Sequence, residues 1–370
     1  MLVQTSRTPY RTADRELIGI RHAEAAREFL RLHPAFAETP LLPLASLAAE
    51  LGVAAVHVKA EGGRIGLGSF KPTGGIHALG RLIQARAAER LNTPVRPADL
   101  PSAAVRQIAG DMVFACASAG NHGLGVAAAA RLFGAEAVVY LSDGVAASFA
   151  DRLARQGARV ERFGADYEAS MAEAAAASAR NGWHLVSDSS WAGYTAIPLD
   201  VMRGYTVLFD EAADTLERSS GPASHVFVQA GVGGLAAAAA GYLRDRWGEE
   251  FKLIVVEPVG AACLGASARH GRALRITGAP TNLGRLDCKE PSLVAFELLA
   301  RLADGFMTVS DTAATDAAAR LAAKGAPTSP CGATGAAGLF RIAADPAARI
   351  ALGLDAGSRV LLIGSETATP

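Results

Sequence analysis

Short β-branched runs that each end in a turn and open an alanine-rich helix are what most restrict the fold of this chain. "DMVFACASAG" leads into "NHGLGVAAAARLFG", "AEAVVYLS" into "AASFADRLARQGA", "RVERFG" into "DYEASMAEAAAASARNG", and "HVFVQAGVGG" into "LAAAAAGYLRDRWG". "AAVHVKAEG" precedes the helical run "GGIHALGRLIQARAAERL", while "FKLIVVEP" and "SRVLLIGSE" are further strand runs. Strand, turn and helix repeated in this way predict an α/β fold with parallel sheets and helices on both faces. A chain of 370 residues is long enough for two packed domains. Ligands of such sheets bind at the carboxyl ends of the strands, which singles out "CASAGNHG", "QAGVGG" and "IGSE". The tract around residues 91–107, with Pro94, Pro97 and Pro101, reads as an inserted surface loop.

Charge and composition exclude several partners. The 36 basic and 36 acidic residues cancel, leaving no electrostatic footprint for a nucleic acid. No apolar run reaches the length of a membrane span, so no membrane partner is expected. The first residues are polar and mix acids with bases, unlike a secretory signal, which points to the cytoplasm. Cys116, Cys263, Cys288 and Cys331 are widely separated and read as reduced thiols, and the scattered histidines lack metal-ligand spacing.

Four stretches carry chemistry. Gly231, Gly233 and Gly234 stand between a strand and a helix, where free N–H groups and the positive end of the helix dipole suit a phosphate. The same turn satisfies a loose dinucleotide pattern through Gly231, Gly233 and Ala236, with Glu257 ending the next strand as a ribose-binding acid would. An oxidoreductase therefore stays open at this point. In "GLGSFKPTGGIHALG", Lys71 lies among Gly66, Gly68, Gly74 and Gly75. A dinucleotide enzyme has no need of such a lysine, whereas an aldehyde cofactor condenses with a neutral amine. Small neighbours would leave room for a flat ring, and apolar crowding would depress the lysine pKa. In "SAGNHG", Ser118 and the amides that follow can hold a carboxylate, Asn121 can offer its amide to a phenolate oxygen, and His122 reads as a packing residue. Ser365 ends the last strand run and can bond a ring nitrogen without protonating it.

"SFKPTGG", "SAGNHG", "GVGG" and the terminal "GSE", in this order, resemble fold-type II pyridoxal-phosphate (PLP) enzymes, the tryptophan synthase β-like group. Within it, "DSSWAGYTAIPLDVMRGYTVLFDEA" (188–212), "LDCKEPSLVAFELL" (286–299) and "GATGAAGLF" (332–340) are similar to segments of the diaminopropionate ammonia-lyases. The resemblance implies a large domain of residues 1–75 and 205–370 and a smaller mobile domain of residues 76–204 that carries the "SAGNHG" loop. It implies a homodimer acting on a small amino acid. Lys71 would be joined to the cofactor and take the Cα proton, and Asn121 would contact the ring oxygen. Gly231, Val232, Gly233, Gly234 and Leu235 would hold the phosphate, and Ser365 would face the ring nitrogen. Ser118, Ala119, Gly120, Asn121 and His122 would line the substrate carboxylate site. The implied reaction is α,β-elimination from a β-substituted L-amino acid, 2,3-diaminopropionate above all, ending as pyruvate and ammonia. Serine or threonine dehydration, β-replacement and a catalytically silent regulator remain as alternatives.

Two positions depart from that pattern. Ala119 stands where the ammonia-lyases carry an aspartate, which predicts weak turnover of the D-isomer. Residues 333–336, Ala-Thr-Gly-Ala, lack an expected acid. Loss of both carboxylates would leave a second amino group on the substrate without a partner. Asp188 reads equally as a pocket-side acid or as a helix cap, Trp191 and Tyr194 as residues packing at a domain or dimer boundary, and Glu257 as structural.

Overall fold

In the computed structural model, residues 2–5 and 7–368 are described. The strands, in chain order, are β1 (Leu2–Gln4), β2 (Leu41–Pro43), β3 (Ala55–Ala60), β4 (Val113–Ala117), β5 (Glu136–Leu141), β6 (Arg159–Arg162), β7 (His184–Leu185), β8 (His225–Gln229), β9 (Lys252–Pro258), β10 (Gly305–Val309) and β11 (Arg359–Gly364). They form a seven-stranded sheet of order β1-β10-β9-β8-β11-β3-β2 and a four-stranded sheet of order β6-β5-β4-β7. The smaller sheet is parallel throughout. In the larger one the inner pairings are parallel, but β1 and β2 close the two edges antiparallel. The expected parallel sheets are present, with two antiparallel edge strands added that are too short to show a period in sequence.

Successive side chains of a strand point to opposite faces of its sheet. Val226, Val228, Leu253, Val255, Leu361 and Ile363 accordingly enter one apolar core, while Phe227, Ile254, Val256, Val360 and Leu362 enter another. Helices therefore cover both faces of the large sheet, as its near-continuous apolar strands require. The proline tract is only partly a loop. Ser102 accepts the N–H of Val105 and caps a helix, Ala103–Gly110, that sequence punctuation hid.

Of the glycines around Lys71, Gly74 and Gly75 serve packing, while Gly66 and Gly68 adopt φ +71° and +82° in the turn ahead of it. Lys71 begins the helix Lys71–Leu91, which crosses the helices Asn121–Phe133 and Ala196–Ser219. A Cβ on Gly75 would lie 2.6 Å from the carbonyl oxygen of Gly125, and one on Gly204 would fall closer still to that of Thr73. Backbone touches backbone at both crossings, so any side chain would drive the helices apart. Ahead of the lysine, the turn Glu61–Gly66 is fixed by a buried network. Arg64 bonds Glu61 and Glu211, and Lys59 bonds Glu211 and the Thr39 carbonyl. Two cations and two anions balance in this cluster, which offsets the cost of burying each. It pins the approach to Lys71 against the helix Ala196–Ser219.

Candidate active site

The loops at the ends of β3, β4, β8 and β11 converge on one place. Phe70 donates its N–H to the carbonyl of Ser365 at 3.1 Å, so the start of the lysine helix is tied to the end of β11. Beyond β8, Gly233 adopts φ +102° and Gly234 opens the helix Gly234–Trp247. An L-residue is strained at that φ, and a Cβ there would also press on Leu264 and Ala295. The run Gly231–Leu235 thus presents backbone N–H groups at a helix N-terminus.

Lys71 does not stand in an apolar pocket of small residues. Its ammonium forms an ion pair with Asp188 and lies 5.4 and 5.5 Å from the ring centroids of Phe70 and Tyr205. Burial works against its charge, but the Asp188 carboxylate outweighs burial and raises the lysine above its ordinary range. Asp188 responds in kind: burial opposes its charge, and Lys71 holds it well below the usual carboxylate range. The expected depression of the lysine pKa is therefore corrected to an elevation. The alternative of Asp188 as a helix cap also falls, since its oxygen faces Lys71.

A second carboxylate occupies the site. Glu366, next to Ser365, accepts from the side-chain amide of Asn121 and from Ser329 Oγ at 2.5 Å. The pocket thus holds two acids, Asp188 and Glu366. Neither stands at Ala119 or at residues 333–336. Ser365 is buried, and Gln229 Nε2 reaches its hydroxyl oxygen at 2.9 Å while also lying within reach of the Ile363 and Gly332 carbonyls. With its oxygen accepting from an amide, the Ser365 hydroxyl keeps its proton free to donate.

In the loop after β4, Gly120 N–H donates to Ser118 Oγ at 3.2 Å, and Asn121 begins its helix. His122 is buried with Nε2 2.8 Å from the Val186 carbonyl, so that nitrogen carries a proton. Glu257 is fully buried and accepts the N–H groups of Leu264 and Gly265, both at 2.8 Å, with burial pushing its pKa up to about 8. A carboxylate so enclosed and occupied cannot reach a ribose, which removes the support for a dinucleotide enzyme. Trp191 stacks on Tyr194 at 4.4 Å, and the Tyr194 hydroxyl donates to the Leu185 carbonyl. Both tyrosine contacts lie within the segment that presents Asp188.

Whether PLP fits can be tested on one orphan. Tyr205 is 1 % exposed, yet among the described residues its hydroxyl has no hydrogen-bond partner in good geometry, only the neighbouring Lys71 ammonium. Its ring lies against Phe70 at 4.7 Å and spans from Gly74 of the lysine helix to Gly234 of the glycine turn. An unmet buried hydroxyl costs about 1–3 kcal/mol, and an anionic group seated between lysine and glycine turn would satisfy it. The N–H groups at the helix N-terminus, the Ser365 hydroxyl and the lysine amine match the phosphate, ring nitrogen and aldehyde of that cofactor.

Comparison with known proteins agrees. The sequence profile of the pyridoxal-phosphate-dependent enzymes matches residues 32–366. The chain belongs to that family. It is 33 % identical over 302 residues to the diaminopropionate ammonia-lyase of Salmonella typhimurium, covering 80 % of this chain and 74 % of that protein. A probable D-serine dehydratase of Acidovorax ebreus is 30 % identical over 296 residues, covering 74 % and 64 %. The crystal structure of the Escherichia coli diaminopropionate ammonia-lyase with D-serine superposes with a TM-score of 0.87 at 29 % identity, over 99 % of this chain and 93 % of that one. The protein is thus a fold-type II PLP enzyme, and its cofactor is pyridoxal 5′-phosphate. Among the described residues, no helix is long and apolar enough to cross a membrane.

Sequence reasoning missed Gln229, Tyr205 and Glu366 at this place. Gln229 and Glu366 had a usable signal, since each stands at or just past the carboxyl end of a strand.

Proposed function

We propose that this PLP enzyme eliminates the β-substituent of an L-amino acid, with 2,3-diaminopropionate as substrate. Water completes the reaction, which yields pyruvate and two molecules of ammonia. The observation that carries this reading is the Lys71–Asp188 pair at the meeting point of the four strand-end loops. PLP supplies an aldehyde for the substrate's amino group and a ring that draws electrons from Cα. In this reading Lys71 Nζ accepts the Cα proton, and Asp188 then stabilises the ammonium so formed. Gly231–Leu235 would hold the phosphate, and Asn121 would turn its amide from Glu366 toward the ring oxygen. The Ser365 hydroxyl, its oxygen engaged by Gln229, would donate to the ring nitrogen and leave it formally neutral. The loop from Ser118 to His122 would hold the substrate carboxylate. Asp188 and Glu366 supply the negative charge that a β-ammonium needs, which supports diaminopropionate over a β-hydroxy substrate.

Dehydration of serine or threonine on the same residues is the second reading, favoured by the likeness to a probable D-serine dehydratase. Residues 1–75 with 205–370, and residues 76–204, are proposed as a large and a mobile small domain of a cytoplasmic homodimer. Keto-acid release from both enantiomers of diaminopropionate and from L-serine and L-threonine is the test. Fastest release from L-diaminopropionate, slow release from the D-isomer and a pyridoxyl group on Lys71 after borohydride trapping are expected. No pyridoxyl group on Lys71, or no release from L-diaminopropionate, would sink the proposal.

A further inference from the structure

Arg285 lies in the loop between the helices Cys263–His270 and Leu293–Leu302, and nothing in its sequence surroundings points to a ligand. The fold brings it to the loop after β4. Its Nη1 donates to the carbonyl of Ala119 at 3.0 Å. The Cα–H direction of Gly120 faces the same group: a Cβ there would sit 3.4 Å from Arg285 Nη1 and 3.8 Å from Ser118 Oγ. The guanidinium and the serine hydroxyl thus lie on the same side of the loop, next to a residue with no side chain to cover them.

The guanidinium has capacity left over. It carries five N–H donors, and the Ala119 carbonyl is its one hydrogen-bond acceptor among the described residues. Glu366 Oε2 forms an ion pair with Nε at 4.0 Å, beyond hydrogen-bond distance, so this carboxylate balances the charge without taking a guanidinium N–H. The Arg285 side chain is 37 % exposed, so it is neither buried in packing nor turned wholly to solvent. Ser118 Oγ accepts from Gly120, which leaves its own proton to donate. Unused planar donors and a hydroxyl proton lie together beside the first turn of the helix Asn121–Phe133, an arrangement that suits a carboxylate.

We propose that Arg285 binds a carboxylate of the amino-acid substrate, together with Ser118 and the loop that follows it. This rests on the elimination reading above and adds to it a residue that selects amino acids over amines. Two sources share this chemistry, the carboxylate on Cα and that of an acidic side chain, and the arms of the test separate them.

The experiment titrates the holoenzyme and its Arg285→Gln variant with L-alanine, L-aspartate and ethanolamine, following the visible absorption of the cofactor. A charge-assisted bond of this kind corresponds to a rise in Kd of about ten- to hundred-fold when it is lost. Equal weakening for L-alanine and L-aspartate, with ethanolamine unchanged, supports the Cα carboxylate. Weakening for L-aspartate alone supports a side-chain carboxylate. Unchanged affinity for both acids, or an equal loss for ethanolamine, overturns the proposal. Arg285→Lys, which keeps the charge without the fork, should recover part of the lost affinity. A protein with no cofactor absorption would instead overturn the parent reading, so the two failures are distinguishable.

Discussion

Replacing Asp188 by Asn asks whether the lysine is set by its partner or by its surroundings. In the native site the carboxylate overrides burial and raises the amine pKa. The amide of Asp188→Asn would keep the shape and remove the charge, leaving burial as the dominant influence. A carboxylate in contact shifts a partner by about 1–3 pKa units, so the neutral fraction of Lys71 at fixed pH should rise about ten- to thousand-fold. Only the neutral amine captures an aldehyde. The rate of covalent PLP capture by apoenzyme, read from its absorption between pH 6 and 9, should therefore be faster at each pH in Asp188→Asn. Stability should move the other way. The carboxylate, depressed in the fold, stabilises above its unfolded pKa and loses that effect as pH falls. The amine, raised in the fold, stabilises below its unfolded pKa and loses that effect as pH rises. Between these limits the pair contributes, and with side chains only about one-fifth exposed, breaking it should cost about 2–4 kcal/mol in the apoenzyme at pH 7. The same capture–pH profile in variant and native enzyme would refute this account of the lysine.

Tyr205→Phe should have opposite signs in the two forms of the protein. Without cofactor it removes a buried hydroxyl that lacks a well-formed hydrogen bond and should stabilise by up to about 1–2 kcal/mol; with cofactor it should raise the PLP Kd several-fold, and a tighter Kd measured by equilibrium dialysis would contradict the placement of that hydroxyl. Gly233→Ala meets both a left-handed φ and the side chains of Leu264 and Ala295. About 1–2 kcal/mol of backbone strain and a tilted turn should lower the Tm of the apoenzyme and weaken PLP retention on dialysis, whereas native retention would argue against a phosphate role for Gly231–Leu235.

What could be read in the sequence was local. A β-branched run, a glycine turn and an alanine-rich helix are each decided by neighbours in the chain, so the loops holding Lys71, Asn121, Gly233 and Ser365 were found. The three-residue strands β1 and β2 and the two-residue β7 were not, because their lengths cannot show a period of two. The charges of the site were misread for a different reason. Asp188 is 117 residues from Lys71, and Glu366 is 245 from Asn121. No composition rule around either member predicts such a partner. The glycines flanking Lys71 illustrate the consequence. From the sequence they suggested an apolar niche, which would have lowered the amine pKa. In the fold Gly74 and Gly75 let three helices meet at their backbones, and that close crossing brings the Tyr205 ring to the amine, while the segment after β7 brings Asp188. A lysine so held must give up its proton before it can meet an aldehyde, and this makes the Asp188 variant a sharper probe of the site than removal of Lys71 itself.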